Sequence, residues 1–320
     1  MKCIIMLIMA LTLSACASPY VQGKSADIGP AHLDGAAFVT RDGLRLALQV
    51  WQAERPRAVV IGLHGMNEYA NAFTMPGSWW AARGITLYAY DQRGFGRSPN
   101  RGLWAGTEAM TQDAQDMVSL VRARHPHVPI YLMGVSMGGA VALSSLARHP
   151  DMKIDGLILV APAVWGWSVL NPFYKVSLWV AAHTFPGKTF AGSGLKIMPS
   201  DNIEMLRANY YDDFVIKGTR TDAIYGLVGL MDEGYSSVDK VKVRTLFLYG
   251  AKDEIIPRKP VKKAAARLSG PKRIVVYQNG YHMLLRDLQA KTVWRDISAW
   301  IEDPQSPLPS GEEKPSFGAN

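Results

Sequence analysis

The chain has 320 residues, 48% hydrophobic and 19% charged, which suits one large α/β domain or two small ones with a sizeable core. Its formal net charge of +8 is spread along the sequence, with only short clusters such as Arg258-Lys259 and Lys262-Lys263. No basic run is interleaved with stacking aromatics, so the composition argues against a nucleic-acid partner and supports at most a mild attraction to anionic surfaces.

The N-terminal residues read as an address and not as part of the fold. Lys2 supplies a positive start, Ile4 to Leu13 an apolar run, and Leu13-Ser14-Ala15-Cys16 a small-residue cleavage site. About ten apolar residues are too few to span a bilayer. The sequence LSAC resembles the lipobox of bacterial lipoproteins. The resemblance implies a signal peptide over residues 1–15, a lipidated Cys16, and, with Ala17 behind it, a protein anchored in the cell envelope at the outer membrane. A plain secretory signal with a chance cysteine is the competing reading. Cys3 and Cys16 are the only cysteines, so a mature domain has no internal disulfide and must hold together by its core. Residues 16–35 are small and polar and read as a tether.

Beyond the tether, Ala36 to Trp51 alternates around Asp42-Gly43, a hairpin signal. Ala58 to Leu63 is a β-branched strand ending in His64-Gly65-Met66. Asn71 to Arg83 is helical, and Ile85 to Tyr90 is a strand running into Asp91-Gln92-Arg93-Gly94-Phe95-Gly96-Arg97-Ser98. Thr107 to Arg124 is an amphipathic helix with Met110, Ala114, Met117, Val118 and Val121 on one face. The strand Ile130 to Met133 then leads into Gly134-Val135-Ser136-Met137-Gly138, and a small, apolar helix follows. Strand, sharp G-x-S-x-G turn and helix form the setting of a nucleophile elbow. Gly134 and Gly138 suit it because a Cβ at either would clash with the close-packed backbone. The bland alternative is a tight turn with a merely exposed serine. Strands alternating with helices predict a mostly parallel sheet with helices on both faces, and ligands of such sheets sit at the strand carboxyl ends. His64-Gly65-Met66, Asp91 and Ser136 all fall there.

HGMNE after the first core strand, YDQRGFGRS after the next and GVSMGG at the elbow resemble the monoglyceride lipase and lysophospholipase branch of the α/β-hydrolases. The resemblance implies an oxyanion hole made by the backbone N–H groups of Met66 and Met137. Backbone donors place no demand on side-chain type, so methionine at both positions is compatible. His64 reads as a structural residue bonded to the loop backbone. Glu68 matches the acidic residue of the family's HGxxE pattern, and it either orders the loop and lines the pocket or is a solvated carboxylate. Asp91 with Arg93 and Arg97 reads as a loop builder through local hydrogen bonds and ion pairs.

After the strand Ile154 to Val160 the rhythm breaks. Residues 164–242 are rich in Trp, Tyr, Phe and Met, read as several helices without strands, and match the cap expected of the family. The first cap helix places Val169, Phe173, Val176 and Val180 at helical spacing, after Trp165 and Trp167. Either these aromatics pack the cap onto the main domain, or they form an acyl-chain tunnel whose outer face touches a membrane.

Val243 to Tyr249 resumes the sheet and ends in GAKDEIIP, which resembles the family's acid loop with Asp253 in the acid position. At Glu254 a one-residue shift turns the side chain away. Lys272 to Tyr277 is the last strand, and GYHML after it resembles the loop of the catalytic histidine, His282. The order Ser136, Asp253, His282 is that of α/β-hydrolases. His32, His125, His127, His149 and His183 fall on tether, helix ends or cap, and none shows metal-ligand spacing, so neither metal nor cofactor is expected. Asp287 to Ile301 is a closing helix, and 303–320, rich in Pro, Ser and Gly, reads as a disordered tail.

The resemblance therefore implies an α/β-hydrolase fold: core 36–163, helical cap 164–242, core 243–302. The expected function is a serine hydrolase cleaving carboxylic esters of monoacylglycerol or lysophospholipid type through an acyl-enzyme. Its partners would be a lipid or small ester substrate and a membrane, reached through Cys16 and also through the cap. Acyl transfer with the same triad, or a membrane-anchored lipid-binding module without turnover, are the competing readings.

Overall fold

The computed structural model describes residues 17–192, 197–314 and 317. Residues 1–16, and with them the signal peptide and Cys16, lie outside the described residues.

The chain opens with short antiparallel strands, β1 (His32–Asp34), β2 (Ala37–Val39) and β3 (Arg45–Trp51), which turn at Asp42-Gly43 as expected. Apolar runs then build β4 (Ala58–Leu63), β5 (Ile85–Tyr90), β6 (Ile130–Val135), β7 (Gly156–Val160), β10 (Thr245–Gly250) and β11 (Lys272–Tyr277). Among the described residues the sheet has ten strands, the last being β12 (Glu313–Lys314), in the order β1-β2-β3-β5-β4-β6-β7-β10-β11-β12, and the six from β5 to β11 in that order are parallel. These strands are apolar almost throughout because both faces are covered. Val59, Ile61 and Leu63 point into one core, and Ala58 and Val60 into the other. Helices α2 (Thr107–Arg124), α3 (Met137–Arg148) and α7 (Arg258–Arg267) cover the first face, and α1 (Thr74–Ala81) and α8 (Ala290–Glu302) the second.

Between β7 and β10 lies the cap, with α4 (Pro172–Thr184), α5 (Ile203–Tyr211) and α6 (Thr221–Ser237). The expectation of a strand-free cap is corrected. β8 (Thr189–Ala191) and β9 (Gly218–Arg220) form an antiparallel ribbon that closes the loop between α4 and α6. α6 packs on α3, with Gly234 against Ala140. Trp165 and Trp167 are part-buried on the core, whereas Phe173, Tyr174, Val176, Trp179 and Val180 of α4 are exposed.

Both ends of the chain depart from expectation. The tether gives way to strand β1 within its last residues, and before that Ile28 N–H donates to Arg41 O (2.8 Å) and Gln22 N–H to Trp104 O (2.8 Å). The tail is not disordered across 303–314. Glu313–Lys314 (β12) pairs antiparallel with β11, Arg273 Nε donates to Glu313 (2.7 Å), and Phe317 is buried against Phe247 and Tyr249. The reason is the sheet edge. β11 would otherwise present unpaired backbone groups, and a short strand held by one ion pair covers them.

Candidate active site

The strand carboxyl ends converge on one cleft. β6 runs into Ser136, which adopts φ 51° and ψ −117° before α3 begins at Met137. A non-glycine residue in this left-handed region is strained, and the crowding around it holds it there. An added Cβ at Gly134 would run into the Gly138 carbonyl, and one at Gly138 into the Leu63 carbonyl. Both elbow glycines are thus needed sterically. Ser136 N–H donates to Val160 O (3.0 Å), and Ser136 O accepts from Gly139 (2.9 Å) and Ala163 (2.9 Å).

Asp253 and His282 come from the loops after β10 and β11. His282 Nδ1 donates to Asp253 Oδ2 at 2.8 Å, and Asp253 Oδ1 accepts the N–H groups of Ile255 (2.8 Å) and Ile256 (3.0 Å). Three donors fix the carboxylate, and its bond to Nδ1 leaves Nε2 as the free ring nitrogen. Ser136 and His282 line one cavity of about 150 Å³, with Gly65, Met66, Phe73 and Ile255 among its walls. Glu254 faces elsewhere, accepting Met198 N–H (2.9 Å).

Met137 follows Ser136 in the chain, and Met66 lines the same cavity as Ser136. Met137 opens α3, where a backbone N–H has no partner inside the helix. Met66 follows Gly65, whose added Cβ would lie 3.4 Å from Ser136 Cβ. Among the described residues neither N–H has an acceptor. The loop that carries Met66 is held from below by His64. Fully buried, this ring donates from Nδ1 to Gly65 O (2.8 Å) and accepts Gln92 N–H on Nε2 (2.9 Å). Burial pushes its pKa below the usual value. Its role is structural.

Glu68 lines the cavity and pairs with Arg286, a residue the sequence analysis missed. An arginine behind two leucines, four positions past His282, was the available cue. Asp287, also missed, accepts Ser200 Oγ (2.6 Å) and Tyr281 N–H (2.8 Å) and so holds the loop of His282; burial pushes its carboxyl up. The Asp91 loop is only partly local, as a correction. Asp91 accepts Ala70 N–H (2.9 Å) and Arg97 N–H (2.7 Å), but buried Arg93 reaches Asp42 (2.7 Å) and Asp113 (2.6 Å), clamping the β2–β3 hairpin to α2. Among the described residues no three His, Cys, Asp or Glu side chains cluster as metal ligands would.

Residues 54–289 match the family described as Hydrolase_4: Serine aminopeptidase, S33. A monoacylglycerol lipase of Mycolicibacterium smegmatis is 26% identical over 273 residues, covering 83% of this chain and 95% of that protein. The human monoglyceride lipase is 24% identical over 276 residues, covering 82% and 89%. The crystal structure of a soluble variant of monoglyceride lipase from Saccharomyces cerevisiae, in complex with a substrate analog, superposes with a TM-score of 0.70. It is 18% identical and covers 91% of this chain and 100% of that one. With the elbow, the cap and the doubly covered sheet in place, the chain belongs to the Hydrolase_4 family of α/β-hydrolases and is a serine ester hydrolase.

Proposed function

We propose that the protein hydrolyses monoacylglycerol through an acyl-enzyme on Ser136. Ser136 Oγ attacks the ester carbonyl while His282 Nε2 takes its proton, and Asp253 stabilises the imidazolium. The oxygen of the tetrahedral intermediate receives the N–H groups of Met66 and Met137. His282 then gives the proton to the leaving glyceryl oxygen as the C–O bond breaks. Water attacks the acyl-enzyme, its proton passes to His282, and Ser136 leaves with that proton as the fatty acid departs.

The observation that carries this reading is the Asp253–His282 bond (2.8 Å) opening onto the same cavity as the strained Ser136. Relatives named for monoacylglycerol lipase activity support the substrate class. Within the cavity Glu68 and Arg286 offer an acceptor and a donor with no net charge. Such a wall suits glycerol hydroxyls better than the phosphate of a lysophospholipid, which calls for an uncompensated cation.

The cap and the N-terminus give the reading its membrane side. α4 presents Phe173 at 72% and Trp179 at 49% exposure, with Val176 and Lys175 between them. An apolar face edged by lysine fits a lipid surface. Cys16, in LSAC, is the proposed acylation site that keeps the enzyme on the envelope membrane.

The test sets wild type beside Ser136→Ala on monoacylglycerol, lysophosphatidylcholine and p-nitrophenyl butyrate, with the acyl-enzyme trapped and weighed. Loss in the variant and fastest turnover of monoacylglycerol are expected. Preference for lysophosphatidylcholine would sink the glyceryl assignment. Acylated alcohol in place of free fatty acid, in the presence of glycerol, would replace hydrolysis with acyl transfer. Labelled palmitate that enters wild type and Cys16→Ser equally would remove the anchor.

A further inference from the structure

Asn67, next to Met66, has a backbone φ of 65°. It occupies the third position of a turn closed by Glu68 N–H to Gly65 O (3.3 Å), where a left-handed residue is required and glycine or asparagine serves. Glycine would meet the backbone demand alone. The asparagine adds an amide that reaches out of the loop into the cap, donating from Nδ2 to Thr219 Oγ1 of β9 at 2.7 Å. Its Oδ1 is buried without a partner, a desolvation cost that glycine would avoid. The backbone of the same residue is also engaged, since Ile216 N–H donates to Asn67 O (2.9 Å). Two residues on, Tyr69 OH donates to Asp212 Oδ2 (2.7 Å). Cap residues 212–219 are therefore seated on the loop that aims the Met66 N–H at Ser136, through bonds made by Asn67 and Tyr69.

We infer that Asn67 is a positioning residue, a latch through which the cap ribbon sets the Met66 N–H, so that oxyanion stabilisation depends on the cap being seated. The inference rests on the assignment of Met66 as an oxyanion donor. The physical basis is the short lever. The Met66 N–H lies in the Gly65–Met66 peptide unit, one residue back from Asn67 and inside the same closed turn, so a backbone change at Asn67 is passed to it through Met66, while a donor is effective only within about 0.3 Å of its proper distance from the oxyanion. A cap lifted from the main domain would release Thr219 and Ile216 and let the turn relax.

The experiment uses the full chain with Asn67→Gly, which keeps the backbone conformation and loses the amide, Thr219→Val, which removes the acceptor from the cap side, and the double variant. Two quantities are read: kcat and KM on p-nitrophenyl butyrate, and the Ki of a trifluoromethyl ketone, whose adduct with Ser136 carries an oxyanion. Each single variant is expected to lower kcat by about three- to tenfold, the range of one hydrogen bond, with KM within about twofold. The ketone Ki should rise by the same factor, and the double variant should be no worse than the singles. A folded but uncoupled site would not move kcat and ketone affinity together. Singles that match wild type in both quantities, or that add in the double variant, overturn the latch. Met66→Pro, which removes the N–H itself, separates the two levels. If it loses activity while the singles keep theirs, only the latch fails; if it too is unaffected, the oxyanion assignment fails with it. Should Asn67→Gly not fold, Thr219→Val carries the test, because its change lies in the cap and outside the loop.

Discussion

Helices α4 and α8 are each thirteen residues long and rich in apolar side chains, yet they are used in opposite ways. α8 turns Val293, Ile297, Trp300 and Ile301 into the core beneath the sheet, where Trp300 meets the Tyr131 ring at 5.5 Å. α4, in the cap, buries only Ala182 and turns Phe173, Val176, Trp179 and Val180 outward. Its start is well specified all the same, with Asn171 accepting Phe173 N–H (2.9 Å) and Pro172 in the first turn. The two helices show that periodicity identifies an apolar face without saying what covers it. In α8 the sheet covers it; in α4 Trp167 and Tyr225 border only the side of Val176 and Trp179, Phe173 stays 72% exposed, and the proposed function supplies a membrane.

The division between a core that carries the chemistry and a cap that meets the lipid can be broken by experiment. The largest effect belongs to the core loops. Ser136→Ala should cost about 10⁶-fold and Asp253→Asn about 10⁴-fold in kcat, on soluble and lipid esters alike, since each disables a unit that acts together. Steady-state kinetics on both substrates check this, and a variant impaired on lipid alone would contradict it. Next comes Trp300→Ala in α8, expected to lose about 3–5 kcal/mol of stability in urea denaturation through the cavity left under β6.

On α4 the same kind of change should behave differently. Phe173→Ser and Val176→Ser, at 72% and 63% exposed positions, should alter stability by no more than about 0.5 kcal/mol. Each should reduce binding to lipid vesicles and turnover of dispersed monoacylglycerol by about tenfold, because each removes one side chain's partition energy. Hydrolysis of p-nitrophenyl butyrate should be untouched. Vesicle sedimentation beside the two assays tests this, and equal loss on the soluble ester would place α4 in the packed core's class.

The smallest effect sharpens the core side. Burial pushes the pKa of His64 below its ordinary 6.5. The unfolded chain therefore takes up a proton that the folded one refuses, and the stability held above pH 6.5 is lost as pH falls toward the folded value, by at most about 1.4 kcal/mol per pH unit. Asp113, which burial raises to about 6 against the pull of Arg93, titrates in the same range with the opposite sign. The relevant quantity is thus the difference in melting temperature between wild type and His64→Gln, which should shrink from pH 7 to pH 5. A constant difference would mean that His64 stays neutral in both states or charged in both.

Much of the site was legible because its demands are local. A strand, a turn with glycines on both sides of Ser136 and a small-residue helix can be read within ten residues, and Asp253 and His282 each follow a strand in the family's order. Arg286 and Asp287 were not legible in the same way. Each has its meaning from a partner far along the chain, Glu68 for the first and Ser200 for the second, and no spacing rule connects them. The tail was misread for a related reason. A segment rich in Pro, Ser and Gly lacks the means to fold alone, but the open edge of β11 and the Phe247–Tyr249 surface give it something to fold against.

By itself, then, the sequence determined the strands and helices of the core, the elbow, the identity of the three triad candidates and the fold they belong to. Each of these follows from side-chain period, glycine geometry or motif order over short distances. Only the tertiary structure decided that the tail closes the sheet, that α4 faces outward and that Asn67 reaches the cap. Those outcomes depend on which surfaces meet, and burial and hydrogen bonding between distant segments are settled when the whole chain packs.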